Sequence, residues 1–340
     1  MIKSVEIKEF LELAKELQII DARSRNEFLQ GHIFSANNIP ILSDDERKVV
    51  GTMYKQYGRK TAVFKGLELS GPNLSARLKE GIKLIGEGKV LVHCWRGGMR
   101  SEFYSFLLKF YGLEPIILKG GYKSYRGLVH ETISKPFKYV VLCGKTGSGK
   151  TIILNELMKI GEQVIDLEGL ANHRGSAFGA LGMPDSQSQE QFENDLFTVI
   201  QQLDQTKPVW IENENRTIGD KVIPEGLWNQ MIQGTKINVE RDFEDRLNQI
   251  MLDYGSFKPK ELKSSMEKIG KRLGPQHVKK ALELIDEGKI SEAFKIALIY
   301  YDKTYEYSLT KMEVKPIMLI DNKGLSNLEI AIALQKALKK

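Results

Sequence analysis

The chain has 340 residues, enough for two ordinary domains, and its 41% hydrophobic and 28% charged residues are typical of a globular protein. No apolar run approaches the roughly 18–20 residues that a membrane span needs, and the charged stretch 1–18 excludes a signal peptide, so we expect a cytoplasmic protein. Two cysteines, Cys94 and Cys143, exclude a disulfide framework, and a net charge of +6 permits an anionic partner without establishing one.

The first part of the chain alternates short apolar runs with amphipathic helical stretches such as residues 101–112. Strands that alternate with helices indicate a parallel α/β sheet. The predicted strands are residues 17–23, 89–94 and 114–121. The polar, basic segment 120–137 is interpreted as a connection, so we predict one domain over residues 1–135 and a second over 136–340.

Residues 19–40, IIDARSRNEFLQGHIFSANNIP, carry charged, glycine and proline residues at a distinctive spacing. This stretch resembles the N-terminal signature of rhodanese domains. The matching residues are Asp21, Arg23, Glu27, Phe28, Gly31, His32, Ile33, Ala36, Asn38, Ile39 and Pro40. The resemblance implies a rhodanese-like parallel sheet, in which Asp21, Arg23 and Glu27 brace the fold and take no part in chemistry.

The segment VLVHCWRGGMRS, residues 90–101, places Cys94 between a predicted strand and a predicted helix. Its sulfur would then face the backbone N–H groups at the start of the helix, which favours the thiolate. Gly97 and Gly98 let the loop curl around the sulfur, and Arg96 and Arg100 add positive charge. The pattern predicts a reactive cysteine in a cradle that stabilises a bound anion.

The length of this loop leaves two chemistries open. Cys94 matches the rhodanese cysteine, which carries sulfur as a persulfide, but the common rhodanese pattern C-x-x-G-x-R-S is one residue shorter. The spacing from Cys94 to Arg100, C-x5-R, is that of cysteine phosphatases, including those built on the rhodanese fold. The wider loop suits a phosphate or another group larger than a sulfane sulfur. We interpret His93 and Cys143 as packed core residues.

A second α/β cycle begins at residues 138–151, where GKTGSGKT follows the apolar run YVVLC. This motif satisfies G-x-x-x-x-G-K-[ST], in which a glycine-rich backbone and a helix N-terminus surround an anion. Lys150 is predicted to reach the terminal phosphates and Thr151 to ligate magnesium, although the magnesium requirement stays open. The predicted phosphate-binding residues are Gly144, Lys145, Thr146, Gly147, Ser148, Gly149, Lys150 and Thr151.

Acidic residues end two further predicted strands in this half of the chain. The carboxyl ends of parallel strands meet at the crevice where ligands bind, so a carboxylate there can hold magnesium or activate water. Glu214 lies just beyond Glu212, but VWIE is not the usual apolar run followed by Asp, which weakens the case for conventional NTP hydrolysis. The candidates near a ligand or metal are Asp166, Glu168, His173, Arg174, Glu212 and Arg216.

The remaining predicted strands are residues 162–169, 207–213, 235–240 and 315–322. Residues 241–310 are predicted to be helical and are rich in Lys and Glu, so we expect a helical part packed onto or inserted into the second domain. The predicted class is α/β, with a rhodanese-like parallel-sheet domain followed by a P-loop NTPase-like parallel-sheet domain.

Longer motifs extend the resemblance over nearly the whole chain. They are residues 46–62, 94–101, 120–126, 144–151, 166–182, 209–228 and 300–309. Together these motifs resemble the bacterial tRNA 2-selenouridine synthases, in which a rhodanese domain is fused to a P-loop domain. The resemblance implies a transferase that modifies the wobble 2-thiouridine of certain tRNAs.

The resemblance further implies two steps. A geranyl group from geranyl diphosphate first alkylates the thiouridine sulfur, and selenium from selenophosphate then replaces the alkylated sulfur, which can depart as a thiol. The P-loop is expected to bind the diphosphate, and Cys94 to carry selenium as an S-selanylcysteine. No bound prosthetic group is expected, and an enzyme that produces selenophosphate is a candidate partner.

A tRNA substrate needs cations for its phosphates and a flat partner for its bases. The candidate tRNA-binding residues are Lys119, Tyr122, Lys123, Tyr125 and Arg126. A second basic set lies in the helical part and comprises Lys268, Lys271, Arg272, Lys279 and Lys280. The alternative function is a rhodanese-type sulfurtransferase or a cysteine phosphatase with an NTP-binding domain, and a third is a non-catalytic binding module.

Overall fold

A computed structural model describes residues 2–310, 318–321 and 324–338. The chain divides into two compact units. The first unit comprises Met1–Thr132 with Ser188–Thr198, and the second comprises Ile133–Gln187 with Val199–Lys340. The sequence prediction had placed residues 188–198 in the second domain, whereas the structure groups them with the first unit.

The first unit is built around a five-stranded parallel sheet in the order β1-β5-β4-β2-β3. Its strands are β1 Lys3–Val5, β2 Ile19–Asp21, β3 Ala36–Asn38, β4 Lys89–His93 and β5 Glu114–Leu118. Its helices are α1 Ile7–Leu13, α2 Arg25–Gln30, α3 Asp44–Ser70, α4 Leu74–Ile85, α5 Met99–Tyr111 and α6 Gly121–Ile133, with a 3-10 turn at Gly71–Asn73. Because β4 is central and buried from Val90 onward, the residue that follows it, Cys94, lies at the carboxyl edge of the sheet.

Two features of this unit differ from the sequence prediction. The segment interpreted as a connection forms α6, because its tyrosines supply an apolar stripe that is buried in the unit. The short strands β1 and β3 were not predicted, since their sequences KSV and ANN are mostly polar and show no apolar run.

Residues 188–198 join the first unit through polar contacts with buried groups. The Asn194 side-chain amide donates to the Tyr122 hydroxyl at 2.7 Å, and Arg126 Nη1 donates to Asn194 Oδ1 at 2.6 Å. The backbone N–H of His32 donates to Gln191 Oε1 at 2.9 Å. These bonds satisfy polar atoms that would otherwise be costly to bury.

The second unit has its own five-stranded parallel sheet, in the order β12-β11-β6-β8-β7. The strands are β6 Lys138–Cys143, β7 Gln163–Ile165, β8 Pro208–Glu212, β9 Thr217–Ile218, β10 Lys221–Val222, β11 Thr235–Glu240 and β12 Met318–Asp321; β9 and β10 form a separate antiparallel pair. The helices numbered from α7 are α7 Lys150–Lys159, α8 Leu167–Leu170, α9 Gln189–Ile200, α10 Glu225–Gln233, α11 Phe243–Tyr254, α12 Pro259–Lys268, α13 Gly270–Leu273, α14 Pro275–Asp286, α15 Ile290–Thr310 and α16 Asn327–Leu338; α9 begins in the first unit.

The segment predicted to be helical contains α11 to α15, which share an apolar core that includes Leu247, Leu262, Leu284 and Phe294. The strand predicted at 315–322 appears as β12, while residues 315–317 and 322 lie outside the described residues. The predicted α/β class is confirmed by the two parallel sheets with their covering helices. Within the described ranges, no helix is both long and apolar enough to cross a membrane.

Candidate functional site

Cys94 lies in a tight loop between β4 and α5, and only 4% of its surface is exposed. Its Sγ is 3.2 Å from Ser101 Oγ and 3.8 Å from the carbonyl oxygen of Gly98. The Ser101 hydroxyl donates to the same carbonyl at 3.0 Å. The sulfur is therefore covered by its own loop and by the first turn of α5, which places the Ser101 hydroxyl beside it.

The shape of the loop depends on two glycines that approach each other closely. Gly97 and Gly121 both have positive φ, +64° and +61°. A Cβ on Gly121 would lie 2.3 Å from the Gly97 nitrogen and 2.4 Å from the Cys94 carbonyl oxygen. The Tyr122 backbone N–H donates to that carbonyl at 2.8 Å. The turn before α6 thus packs against the cysteine loop, and side chains at these positions would displace it.

The two arginines of the predicted cradle behave differently. Arg96 is exposed, whereas Arg100 donates from Nη1 and Nη2 to the two carboxylate oxygens of Glu27, at 2.6 and 3.2 Å. Burial opposes ionisation of Glu27, but the bonds from Arg100 outweigh it and lower the pKa of Glu27 to about 2. The guanidinium of Arg100 is thus held by Glu27, a residue for which the sequence predicted only a bracing role.

The other signature residues form a buried brace beneath the loop. Arg23 and Asp21 make an ion pair at 2.6 Å with both side chains fully buried, and the Arg23 guanidinium lies 3.7 Å from the centre of the Tyr122 ring. Burial lowers the pKa of His93 to about 4, so its imidazole is neutral near pH 7. This neutral, enclosed histidine agrees with the predicted core role of His93.

The predicted tRNA-binding tyrosines need a correction. Tyr122 and Tyr125 are buried in the first unit, and Tyr125 packs edge-to-face on Phe197, so neither ring is available to stack on a base. Arg126 pairs with Glu193 and donates to Asn194.

The predicted tRNA-binding lysines are exposed. Lys119 and Lys123 both lie on the surface, and Lys119 forms an ion pair with Glu6 at 2.5 Å. The second basic set is exposed at Lys268, Lys271, Lys279 and Lys280, while the side chain of Arg272 lies outside the described part.

The P-loop lies between β6 and α7, as the motif predicts. Gly147 and Gly149 have φ of +80° and +82°, which turns the backbone into the start of α7. Lys150 Nζ donates to the Gly144 carbonyl at 3.1 Å, and Thr151 Oγ1 donates to Glu168 Oε2 at 2.9 Å. The loop thus has the closed form expected of a phosphate-binding turn.

A buried arginine supports this loop from the helical part. Arg246 Nη1 donates to the Thr146 carbonyl at 3.2 Å, and its two terminal nitrogens bond the Asp302 carboxylate at 2.7 and 2.6 Å. A Cβ on Gly147 would lie 2.7 Å from the Arg246 carbonyl oxygen. Helices α11 and α15 therefore fix the position of the P-loop.

The P-loop opens into a cavity of about 880 Å³ within the second unit. Small-molecule sites typically span about 300–1,000 Å³, so this volume suits a metabolite. One wall is polar and contains the P-loop with Asp166, Glu168 and Glu214. Another part of the lining, the apolar wall, contains apolar and aromatic residues: Met183, Trp228, Met231, Ile232, Ile250, Tyr254, Tyr301 and Tyr305.

Carboxylates crowd the polar wall. The Glu168 backbone N–H donates to Glu212 Oε1 at 2.7 Å, and the Glu168 and Glu214 side chains are hydrogen-bonded to each other. Two carboxyl groups can share such a bond only if one holds a proton. Burial and the neighbouring Glu168 charge raise the pKa of Glu214 to about 8, and burial raises the pKa of Glu212 well above its ordinary value. The Glu168–Glu214 pair on this wall therefore shares a proton near neutral pH.

The structure separates the six candidates near a ligand or metal into two groups. Asp166, Glu168 and Arg174 line the cavity. Glu212 is fully buried behind Glu168, Arg216 is exposed, and His173 packs against Gly219. Among the described residues, Glu212, His173 and Arg216 are not part of the cavity wall.

The protein offers few oxygen ligands for the predicted magnesium ion at this site. Across residues 2–310, 318–321 and 324–338, no group of three or more His, Cys, Asp or Glu side chains is arranged to hold a metal ion. Thr151 Oγ1 and Glu168 Oε2 nevertheless place two oxygen atoms together beside the P-loop. Magnesium usually keeps several waters and takes its other ligands from phosphates, so this pair fits a substrate-carried Mg²⁺.

Sequence reasoning missed three parts of the site. Ser101 was quoted only as part of a pattern, Glu214 was noted beside Glu212 as a strand-end acid but not kept among the candidates, and the apolar wall was not predicted. The sequence did contain a pattern that points to Glu214, since this residue lies two residues beyond the end of β8. No local sequence pattern points to the apolar wall, because Trp228 and Tyr301 come from helices far apart in sequence.

The fold and the two loops define a class of protein: a rhodanese-type cysteine unit and a P-loop unit in one chain. The family model described as "tRNA 2-selenouridine synthase AAA domain" matches residues 137–328, and the rhodanese-like domain model matches residues 6–128. The chain belongs to the tRNA 2-selenouridine synthase family, which confirms the resemblance seen in the sequence.

Relatives named tRNA 2-selenouridine synthase support this assignment. One from Nitrosomonas europaea is 36% identical, over 69% of this chain and 63% of that protein. One from Sulfurovum sp. is 33% identical, over 86% of this chain and 89% of the relative. One from Marinobacter nauticus is 30% identical, over 88% and 90% of the two chains.

Proposed function

We propose that this protein is a transferase that converts the wobble 2-thiouridine of tRNA to 2-selenouridine. Geranyl diphosphate first alkylates the sulfur, and selenium from selenophosphate then replaces the alkylated sulfur with the help of Cys94. Family membership supports the overall reaction, since the relatives carry that enzyme name. The activity is placed in the cytoplasm, where tRNA occurs and thiols stay reduced.

One observation carries the choice of geranyl diphosphate. A single cavity joins a P-loop to an apolar wall that contains Trp228, Met231 and Ile232. The loop amides and Lys150 suit a diphosphate, while the apolar wall suits a hydrocarbon chain.

The alkylation step needs a proton acceptor as well as an anion site. The thiocarbonyl sulfur attacks the first carbon of the geranyl group, the C–O bond breaks, and diphosphate leaves with the electron pair. The alkylated uracil loses its N3 proton in the same step. Glu168 and Glu214 lie on the polar wall of the cavity, where a carboxylate can take that proton. Thr151 and Glu168 would hold a Mg²⁺ that arrives with the diphosphate and neutralises its charge.

The selenium step is balanced without an oxidant or a reductant. A C–Se bond forms at C2 of the uracil, the C–S bond breaks, and geranylthiol leaves with a proton. Water takes the phosphoryl group of selenophosphate and releases phosphate. Cys94 acts before that hydrolysis: its sulfur attacks phosphorus, the P–Se bond breaks, and the selenide released attacks C2, after which water cleaves the S–P bond. The loop suits this role because it places the Ser101 hydroxyl and the Arg100 guanidinium near the sulfur.

The test supplies the full chain with tRNA that contains wobble 2-thiouridine, and mass analysis of nucleosides follows each addition. Geranyl diphosphate should yield an S-geranyl nucleoside, and selenophosphate should then yield 2-selenouridine. Lys150→Ala should slow geranyl transfer about a hundredfold, since a charged hydrogen bond is worth about 1.5–3 kcal/mol. The control Lys159→Ala, an exposed lysine of α7, should leave the rate unchanged.

Two results would contradict this function. Normal transfer by the Lys150→Ala variant would remove the P-loop from the reaction. Rapid turnover of a small phosphate ester, with no product from tRNA, would favour the cysteine phosphatase suggested by the C-x5-R spacing.

A further inference from the structure

Helix α3 is the longest helix of the first unit, yet it buries little of its surface. Of its 27 residues, only Ala62 and Ser70 are buried. Gly58 has φ of +82° and divides the helix at a kink. A surface helix of a globular protein normally covers its core with an apolar stripe, so this helix is exposed to an unusual degree.

The exposed part is basic and aromatic. Residues 47–67 contain six cationic residues and no Asp or Glu. The side chains of Tyr54, Tyr57 and Phe64 are exposed to 52%, 63% and 77%. The cationic residues are Arg47, Lys48, Lys55, Arg59, Lys60 and Lys65.

Four of these six cationic side chains form no ion pair with an acidic residue in the described part of the chain. Arg47 pairs with Glu27, and Lys65 pairs with Glu68. The other four cations make no ion pair or side-chain hydrogen bond within the described part of the chain; they are Lys48, Lys55, Arg59 and Lys60. Unpaired cations between exposed aromatic rings are the pattern with which proteins bind single-stranded nucleic acid.

The start of the helix is also joined to the reactive loop. Glu27 Oε2 forms an ion pair with Arg47 Nε at 3.0 Å and accepts a hydrogen bond from Arg100 Nη1 at 2.6 Å. Arg100 belongs to the first turn of α5, directly after the Cys94 loop. A ligand that runs along α3 toward Arg47 therefore approaches the loop that carries the reactive sulfur.

We propose that residues 47–67 of α3, the basic helix, bind the anticodon arm of the substrate tRNA. This inference rests on the proposed function and assigns the RNA contacts that Tyr122 and Tyr125 cannot make. The cations neutralise phosphates, and the exposed tyrosines stack on unpaired bases of the loop. The wobble nucleotide lies in that loop, so the contact brings it toward Cys94.

The test measures binding of a tRNA transcript to the full chain by fluorescence anisotropy at several salt concentrations. The triple variant Lys55→Glu/Arg59→Glu/Lys60→Glu should bind at least tenfold more weakly near 0.1 M salt. In a plot of the logarithm of affinity against the logarithm of salt concentration, the slope for this variant should be smaller in magnitude by about 2–3. Each phosphate contact contributes about 0.7–0.9 to that slope. The control Lys8→Glu/Lys79→Glu/Lys83→Glu makes the same charge change in the same unit and should alter affinity less than twofold.

A second variant separates stacking from charge. Tyr54→Ala/Tyr57→Ala should weaken binding about tenfold and leave the salt dependence unchanged, because stacking is sequence-tolerant and uncharged. Both variants should retain the wild-type Tm and normal geranyl diphosphate binding, since few α3 side chains are buried.

The outcomes distinguish this inference from the proposed function. If the wild type fails to bind the transcript, the proposed function fails. If the wild type binds and the basic-helix triple variant binds equally well, only this inference is overturned. Equal losses in the two triple variants would also overturn it, as would a wild-type dimer that the α3 substitutions dissociate with no change in RNA affinity.

Discussion

Two loops of this protein share one layout, a buried parallel strand followed by a glycine-bearing turn and a helix. The P-loop turns its glycines toward a cavity of about 880 Å³. The cysteine loop closes on itself and leaves Cys94 only 4% exposed. The comparison teaches that one strand–turn–helix layout can either line a cavity with its turn or enclose the side chain that the turn carries.

The largest expected effect is that of a Cys94 substitution, which should block one reaction step and leave the other intact. Cys94→Ser should abolish 2-selenouridine formation and leave S-geranyl tRNA to accumulate, because an alcohol is far less nucleophilic than a thiolate at neutral pH. Nucleoside mass analysis measures both products. Cys143→Ala is the control, since burial raises the pKa of that thiol to about 11 and keeps it unreactive. Loss of geranylation in the Cys94→Ser variant would show that the loops do not act separately.

A smaller effect is expected when the hydroxyl beside the Cys94 sulfur is removed. Ser101→Ala removes the hydroxyl 3.2 Å from Sγ and should slow the selenium step about tenfold, as expected for one hydrogen bond of about 1–1.5 kcal/mol. Geranyl transfer should keep its rate. Ser105→Ala, a buried serine one turn later on α5, should change neither step. Equal slowing by both substitutions would indicate a general packing effect.

The smallest effect concerns the carboxyl wall behind the P-loop. The pKa of Glu214 is raised to about 8 in the folded protein, so its stabilising contribution is complete below the unfolded value and is lost as pH rises through about 8. Glu214→Gln should therefore flatten the fall in unfolding free energy between about pH 5 and pH 9.

Denaturant titrations followed by Trp fluorescence measure this change, since the buried Trp210 reports on the second unit. The control is Glu267→Gln, at an exposed carboxylate, which should retain the wild-type pH profile. A wild-type curve with no decline over this pH range would contradict the shared carboxyl proton.

Residues in continuous motifs were the part of the site that the sequence could predict. The P-loop and the cysteine loop each combine a strand, glycines and a helix within about a dozen residues, so their local geometry follows from their order. The family signature around Asp21 and Arg23 likewise predicted a brace, and the structure places that ion pair in the core.

Tertiary packing decided the rest. Tyr122 and Tyr125 lie in a basic stretch that suggested RNA binding, but their spacing of three residues puts both on the buried face of α6. The apolar wall of the cavity joins α10, α11 and α15, so no local pattern could reveal it. Arg100 matched a phosphatase spacing, yet its bonds go to Glu27, 73 residues away in sequence.

Arg246 links two parts of the cavity lining in the second unit, the P-loop and the apolar wall. Its guanidinium joins the Thr146 carbonyl of the P-loop to Asp302 on α15, and α15 also supplies Tyr301 and Tyr305 to the apolar wall. The donor that we propose, geranyl diphosphate, would contact both sides of this linkage, whereas free diphosphate would contact only the loop. On that proposal, the linkage favours retention of the intact donor and release of the spent anion.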